Sequence, residues 1–312
     1  MTTNLCIVVP CYNEEESIDF FLDAMDGIAP ALPVALSYVF VDDGSRDRTL
    51  DALRRANAAR PGQVHYISFS RNFGKEAGLA AGLDKALVLG ADLVAVMDVD
   101  LQDPPSLLGE MCERVLAGEC DVAAAYRTTR EGESPVRSWF ARRFYALMDA
   151  MSDVDMKDGA RDFRVMTRQV AQAVMDMPER NRFSKGIFGW VGFRTSWVAY
   201  ENVEREHGTT SWSFLGLVRY AVEGILAFTT VPLELISVAG VVAFLAAVVF
   251  LVFVVVRALL FGDPVAGWPS LMAVTILFGG LNLLGIGIVG LYVSKIYSES
   301  KRRPLYIVSE ER

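Results

Sequence analysis

Apolar residues in the first 126 positions gather into short runs: LCIVV at 5–9, LSYVFV at 36–41, VHYISF at 64–69, LVAVM at 93–97 and DVAAAY at 121–126. Runs this short, bounded by polar loops, predict strands buried on both faces. Stretches of helical period start between them near Glu14, Asp47, Gly74 and Pro104. The order βαβαβαβαβ predicts a parallel sheet wrapped by helices, a Rossmann-type α/β domain. No G-x-G-x-x-G follows the first run and no Walker sequence occurs, so the phosphates of any nucleotide must be held in another way.

The pattern changes in the last quarter. Residues 235–256 carry no charge, and after a connection holding Arg257, Gly262, Asp263 and Pro264, residues 269–294 are again uncharged. Each run exceeds the ~20 residues that cross a bilayer, whereas core helices of soluble domains are usually shorter and amphipathic. Transmembrane helices are therefore predicted over 233–257 and 269–294. Gly279, Gly280, Gly285, Gly287 and Gly290 suit close helix packing in lipid, including a homo-oligomer formed through these helices. Lys295, Lys301, Arg302 and Arg303 follow the second run, while the connection carries Arg257 alone. The positive-inside bias then predicts a multi-pass inner (plasma) membrane protein with the large domain, the 295–312 tail and both termini in the cytoplasm. The opening MTTNLCIVVP has neither a basic stretch nor a long apolar core and does not read as a signal peptide.

With 312 residues, 52% hydrophobic and 22% charged, the chain is neither disordered nor a disulfide-stapled miniprotein. Its mean hydropathy of +0.30 is owed to the two long runs. A net charge of -8 argues against nucleic acid as a partner. Cys6, Cys11, Cys112 and Cys120 form no Cys-x-x-Cys pair and there are two histidines, so reduced buried thiols are expected rather than a zinc site.

Ligands of open α/β sheets bind at the carboxyl ends of strands. Here those ends read Pro10-Cys11-Tyr12-Asn13-Glu14, Asp42-Asp43-Gly44-Ser45 and Asp98-Val99-Asp100-Leu101-Gln102-Asp103, which predicts one acidic cleft. Asp98 and Asp100 can offer oxygen ligands to Mg²⁺ or Mn²⁺, with a pyrophosphate completing the shell. A solitary Asp-x-Asp reads first as a solvated turn before Pro104; its coincidence with Asp42-Asp43 reverses that in favour of the cation.

VVPCYNEEESI, FVDDGSRDRT, RNFGKEAGLAAG and MDVDLQDPP, in this order, resemble inverting glycosyltransferases of the family-2 type with a GT-A fold. ARDFRVM, MPERNRFSKGIFGWVGF and REHGTTSWS, followed by two apolar runs, are similar to the polyprenyl-phosphate glycosyltransferases of that family. The resemblance implies a catalytic domain over 1–212, a juxtamembrane amphipathic helix over 213–232, and metal-dependent inverting transfer of a hexose from a nucleotide-diphosphate sugar to a polyprenyl phosphate, undecaprenyl phosphate in bacteria. UDP-glucose is the first choice of donor and GDP-mannose or UDP-GlcNAc the second. The product serves cell-envelope glycosylation after a flippase turns it over. A catalytically idle, membrane-tethered nucleotide-sugar binder is the rival class, disfavoured by the intact Asp98, Asp100 and Gln102.

By the same resemblance Pro10, Tyr12 and Glu14 surround base and ribose and Asp42 contacts the base. Asp98 faces ribose or sugar and joins Asp100 and Gln102 in the metal set. Asp103 belongs to that turn or caps the next helix. Arg71 and Lys75 are donor-side charges or solvated. Asp162, together with Arg164, orients acceptor or sugar, with general base as the lesser reading. Arg205 closes over the diphosphate, and Ser211 stands at the acceptor phosphate where many relatives have Lys. A phosphate bringing about -1.5 to -2 charge to the membrane surface calls for arginines. Arg127, Arg130 and Arg137 are placed there, the last on the amphipathic stretch SPVRSWFARRFYALMDAM with Arg142 and Arg143. A second amphipathic stretch, SFLGLVRYAVEGILAFTT, leads into the first apolar run.

Overall fold

The computed structural model describes residues 3–128, 157, 159–177, 179–180, 182–201, 229–261 and 267–312. The chain divides into two compact units, Met1–Gly224 with Arg303–Arg312, and Ile225–Arg302.

The first unit is built on one eight-stranded sheet: β1 (Asn4–Cys11), β2 (Ala35–Asp42), β3 (Val64–Phe69), β4 (Leu93–Val96), β5 (Val122–Arg127), β6 (Ala160–Thr167), β7 (Thr195–Tyr200) and β8 (Val308–Glu311). Its spatial order is β7-β5-β6-β4-β1-β2-β3-β8. Strands β3, β2, β1 and β4 are mutually parallel. Helices α1 (Ser17–Ile28), α2 (Thr49–Ala59), α3 (Lys75–Val88) and α4 (Leu107–Leu116) connect this half, and α5 (Arg168–Asp176) and α6 (Ser184–Trp190) belong to the other.

Leu5 to Val9 are fully buried because β1 is covered on both faces, which is why its apolar run does not alternate. Helix α1 buries Ile18, Phe21, Leu22 and Met25, one stripe of helical period, and Phe21 meets Tyr38 and Phe40 edge-on at 6.3 and 5.7 Å. Helix α3 approaches β1 so closely that a Cβ on Gly82 would lie 2.1 Å from Val8 Cγ1.

Two strands depart from the pattern read in the sequence. Strand β6 lies between β4 and β5, antiparallel to both, so β5 runs in the direction of β4 without touching it. Arg161, Asp162 and Arg164 interrupt the apolar run of β6 and hide it. The 295–312 segment, expected to be a tail, ends in β8, which pairs antiparallel with β3. Tyr306 stacks on Phe69 at 4.9 Å, and Glu310 accepts hydrogen bonds from Arg54 and Tyr66, which hold its carboxyl down at about 2. The β3 edge is thereby covered rather than left open to other chains.

In the second unit α7 (Val231–Phe261) and α8 (Trp268–Ser300) are long and apolar enough, by length and composition, to cross a membrane. A Cβ on Gly285 would lie 3.4 Å from Ile236 Cγ2, and the Tyr292 hydroxyl donates to the Thr229 carbonyl at 2.8 Å. The other four glycines singled out above face open space among the described residues. The amphipathic stretch around Arg137 and nearly all of that preceding α7 lie outside the described residues.

Candidate active site

The loops after β1 and β2 are stitched together. Asn13, at φ +56°, donates its backbone N–H to Ser45 Oγ at 2.9 Å and accepts from Arg46 N–H at 2.9 Å. The Glu14 N–H donates to Thr49 Oγ1 at 2.8 Å, and its carboxylate accepts from Ser17 Oγ at 2.6 Å. Asp42, closing β2, is buried and accepts from Ser45 N–H at 2.9 Å and Ser68 Oγ at 2.7 Å. Asp43 accepts from the N–H groups of Phe73 and Gly74 at 2.6 and 2.8 Å, although burial still raises its carboxyl above the usual range. Gly44 has φ +65°, and a Cβ there would lie 2.3 Å from the Arg71 carbonyl carbon, so the turn requires glycine. Pro10 lies in β1 opposite Val41, and Tyr12 is 42% exposed above it.

Cys11 shows that the three strand ends meet. Its thiol is pushed well up, first by burial and then by the carboxylates of Glu14, Asp42 and Asp98, which come from the ends of β1, β2 and β4. The acidic ends of β1, β2 and β4 are therefore neighbours around Cys11.

Beyond β4 the chain turns through Leu101 at φ +52°, an unusual conformation for a branched residue. The Gln102 N–H donates to Asp100 Oδ1 at 3.2 Å. Arg161 on β6 donates to Asp103 Oδ1 at 2.8 Å and to Gln102 Oε1 at 3.3 Å, and Tyr200 on β7 also donates to Asp103. Asp103 thus ties the turn to β6 and β7 instead of capping α4, whose first turn has no side-chain cap. No group of three acidic, His or Cys side chains converges as a metal cluster among the described residues.

Lys75, the first residue of α3, bridges Asp98 at 2.7 Å and Asp162 at 2.6 Å. Burial alone would lower its pKa, but the two carboxylates outweigh burial and raise it. Burial likewise pushes Asp162 up, yet Lys75, Lys185 and Arg164 hold it below the usual carboxylate range. Arg164 donates to the carbonyls of Asp162 and Arg161 at 3.2 and 2.9 Å and lies 3.9 Å over the Phe188 ring, with burial bringing it down to about 10. Glu76, beside Lys75, accepts from the backbone and hydroxyl of Ser184.

The structure therefore brings together Pro10, Tyr12, Glu14, Asp42, Asp98, Asp100, Gln102 and Asp162. Arg127 ends β5, its N–H donating to the Gly159 carbonyl at 3.1 Å. Arg130, Arg137, Arg205 and Ser211 lie outside the described residues. Sequence reasoning left the role of Lys75 open and missed Arg161, whose link spans 58 residues. The signal for Lys75 was its place at a helix start directly after a strand-end loop.

The chain can now be set beside known proteins. The bactoprenol glucosyl transferase of Shigella phage SfV is 38% identical over 310 residues, 99% of this chain and 99% of that protein. A prophage bactoprenol glucosyl transferase homolog of Escherichia coli K12 is 36% identical over 304 residues, 97% of this chain and 98% of its own length. Among solved structures, glucosyl-3-phosphoglycerate synthase from Mycobacterium tuberculosis, in complex with Mn²⁺, UDP and phosphoglyceric acid, superposes with a TM-score of 0.49 at 18% identity, covering 72% of this chain and 76% of that one. Residues 6–175, which carry the stitched loops, the Lys75 bridge and the Asp98-to-Asp103 turn, match glycosyl transferase family 2, and the chain belongs to that family, with its GT-A fold.

Proposed function

We propose that the protein transfers a hexose from a nucleotide-diphosphate sugar, UDP-glucose, to the phosphate of a membrane-embedded polyprenol, undecaprenyl phosphate, with inversion at the anomeric carbon. The observation that carries this reading is the end-to-end similarity to bactoprenol glucosyl transferases, which extends through the acid-lined strand ends and both apolar helices alike.

A phosphate monoester with a second pKa near ~6 is already an anionic nucleophile at pH 7. The protein's task is then to position it and to screen charge, rather than to remove a proton. Asp162 suits that division of labour, because its cationic neighbours keep it ionised and make it a poor base. In this reading Pro10, Tyr12, Glu14 and Asp42 hold base and ribose, and Asp98 with Lys75 and Asp162 orients the sugar. Asp100 and Gln102 are hard oxygen donors on one turn, a donor set that fits Mg²⁺ or Mn²⁺; the pairing of Asp98 with Lys75 supports giving that acid to the sugar side. The cation supplies charge neutralisation for the departing nucleotide diphosphate. Arg205 assists at the diphosphate, and Arg127, Arg130, Arg137 and Ser211 receive the acceptor phosphate.

Leu283 and Val249, 71% and 70% exposed, are representative of the apolar faces of α7 and α8. Exposure of apolar surface to water costs about 25 cal/mol per Å², and a bilayer removes that cost. This supports an inner-membrane protein, and the Lys295, Lys301, Arg302 and Arg303 cluster supports a cytoplasmic catalytic domain. The sugar-loaded lipid then needs a flippase before use in the cell envelope.

The test is incubation of the purified full chain with undecaprenyl phosphate and radiolabelled UDP-glucose, GDP-mannose or UDP-GlcNAc, with and without EDTA. Label in the lipid extract from UDP-glucose, abolished by EDTA, is the expected result. Lipid extracts free of label with all three donors would overturn the reading. For orientation, Asp263→Cys should react with an impermeant maleimide in intact cells, and Ser309→Cys only after the membrane is opened.

A further inference from the structure

A second cluster of charge lies beside the donor site. Between β6, α6 and β7 a cleft of about 280 Å³ is lined by Lys157, Arg164 and Lys185 and walled by Phe188, Phe193 and Trp197. Each cation is held by a carbonyl or a ring. Lys157 Nζ lies 4.5 Å from the centre of the Tyr126 ring and 6.0 Å from that of Trp197. Lys185 Nζ donates to the Ala160 carbonyl at 3.0 Å, and Arg164 to two carbonyls over the Phe188 ring. Among the described residues none of the three is within salt-bridge distance of a carboxylate. No carboxylate lines the cleft, and Asp162, which Lys185 and Arg164 help to keep ionised, is already paired with Lys75, so the concave surface keeps a surplus of positive charge against apolar walls. That combination suits an anion carrying a hydrocarbon chain.

The position of the cleft says which anion. In the antiparallel pairing of β4 with β6, Arg164 stands opposite Val96, two residues before Asp98. Asp162, two residues along the same strand, reaches Asp98 through Lys75. The cleft therefore opens one side-chain step from the carboxylates assigned to the donor sugar.

We infer that Lys157, Arg164 and Lys185 form a receiving site for the phosphate of the lipid acceptor, with Phe188, Phe193 and Trp197 against the first carbons of its chain. This assignment rests on the polyprenyl-phosphate reading above and adds residues which that reading did not include.

The experiment uses the full chain in phosphatidylcholine nanodiscs, with tryptophan fluorescence to follow binding of farnesyl phosphate, farnesol or inorganic phosphate in the absence of donor. Lys185→Gln and Lys157→Gln are each expected to weaken farnesyl phosphate roughly tenfold or more, the scale of a lost charge-assisted hydrogen bond, and to raise the acceptor KM by a similar factor. The donor KM should stay within about twofold, and Lys185→Arg should restore binding. Farnesol and inorganic phosphate should bind far more weakly than farnesyl phosphate. Unchanged farnesyl phosphate affinity and acceptor KM in both glutamine variants would overturn the assignment, as would inorganic phosphate binding as tightly as farnesyl phosphate. If the wild type loads sugar onto no polyprenyl phosphate while Lys185→Gln still loses farnesyl phosphate, the acceptor reading falls and the anion site stands.

Discussion

On the β1, β2 and β4 side of the sheet the strand ends present carboxylates held by backbone N–H groups and hydroxyls, as at Asp42 and Asp43. On the β6 and β7 side the same sheet presents cations held by carbonyls and aromatic rings, as at Arg164 and Lys185. The first arrangement fits a cation-bridged nucleotide diphosphate, the second an anionic acceptor. Lys75, paired with an acid from each side, is the joint between them. On the proposed function, one sheet would bring two anionic substrates together without exposing them to one undivided field.

The largest effect is expected from Asp100→Asn, which removes a charged oxygen donor from the acidic side: kcat should fall roughly 10²-fold or more while the thermal midpoint stays close to wild type. Full turnover in Mg²⁺ or Mn²⁺ buffer would break the division just drawn. Lys75→Met attacks the joint, leaving Asp98 and Asp162 without their shared cation. We expect about a tenfold loss of kcat/KM, and only about 1–2 kcal/mol of stability in a denaturant titration because the ammonium is partly solvated. A variant with both acids neutralised as well should recover most of the stability and none of the activity.

Asp162→Asn should cost less than tenfold. Because the native Asp162 pKa is depressed, its contribution to stability is present above the unfolded value near ~3.9 and is lost as pH falls through the native value. Asp162 therefore does not titrate between about pH 5 and 8, and the acid limb of kcat/KM should follow the acceptor phosphate near ~6. A limb that vanishes in Asp162→Asn, with a loss of ~10²-fold or more, would restore the general-base reading. The smallest effect belongs to Tyr306→Ala. It loses the stack on Phe69, which in turn meets Phe73 of the Lys75 loop edge-on at 5.8 Å. About 1 kcal/mol of stability should go, read as a shift in the denaturation midpoint, with kcat altered less than twofold.

The same contrast explains what could be read from the sequence. The acidic side is made of consecutive residues at strand ends, so Asp42-Asp43 and Asp98 to Asp103 stand out as motifs, and β1 to β4 as short, mainly apolar runs. The basic side draws Tyr126, Arg164 and Trp197 from three strands, Lys185 from a short helix and Lys157 from the chain before β6, and no local spacing joins them. Strand β6 was hidden because three of its residues are charged for the sake of the site. For Asp103 the sequence leaves turn and helix cap both open because Pro104 follows it, and the partners that decide for the turn, Arg161 and Tyr200, arrive from far along the chain.

Strand β8 constrains the order of events during biosynthesis. It is made after both long apolar helices, whereas its partner β3 is made before them. If α7 and α8 each traverse a bilayer, the pairing requires the chain to come back to the face from which it departed. A hairpin inserted with one crossing missing would maroon β8 in the wrong compartment, and the outer rim of β3 would stay unsealed. On that condition, completion of the sheet is coupled to an even count of crossings.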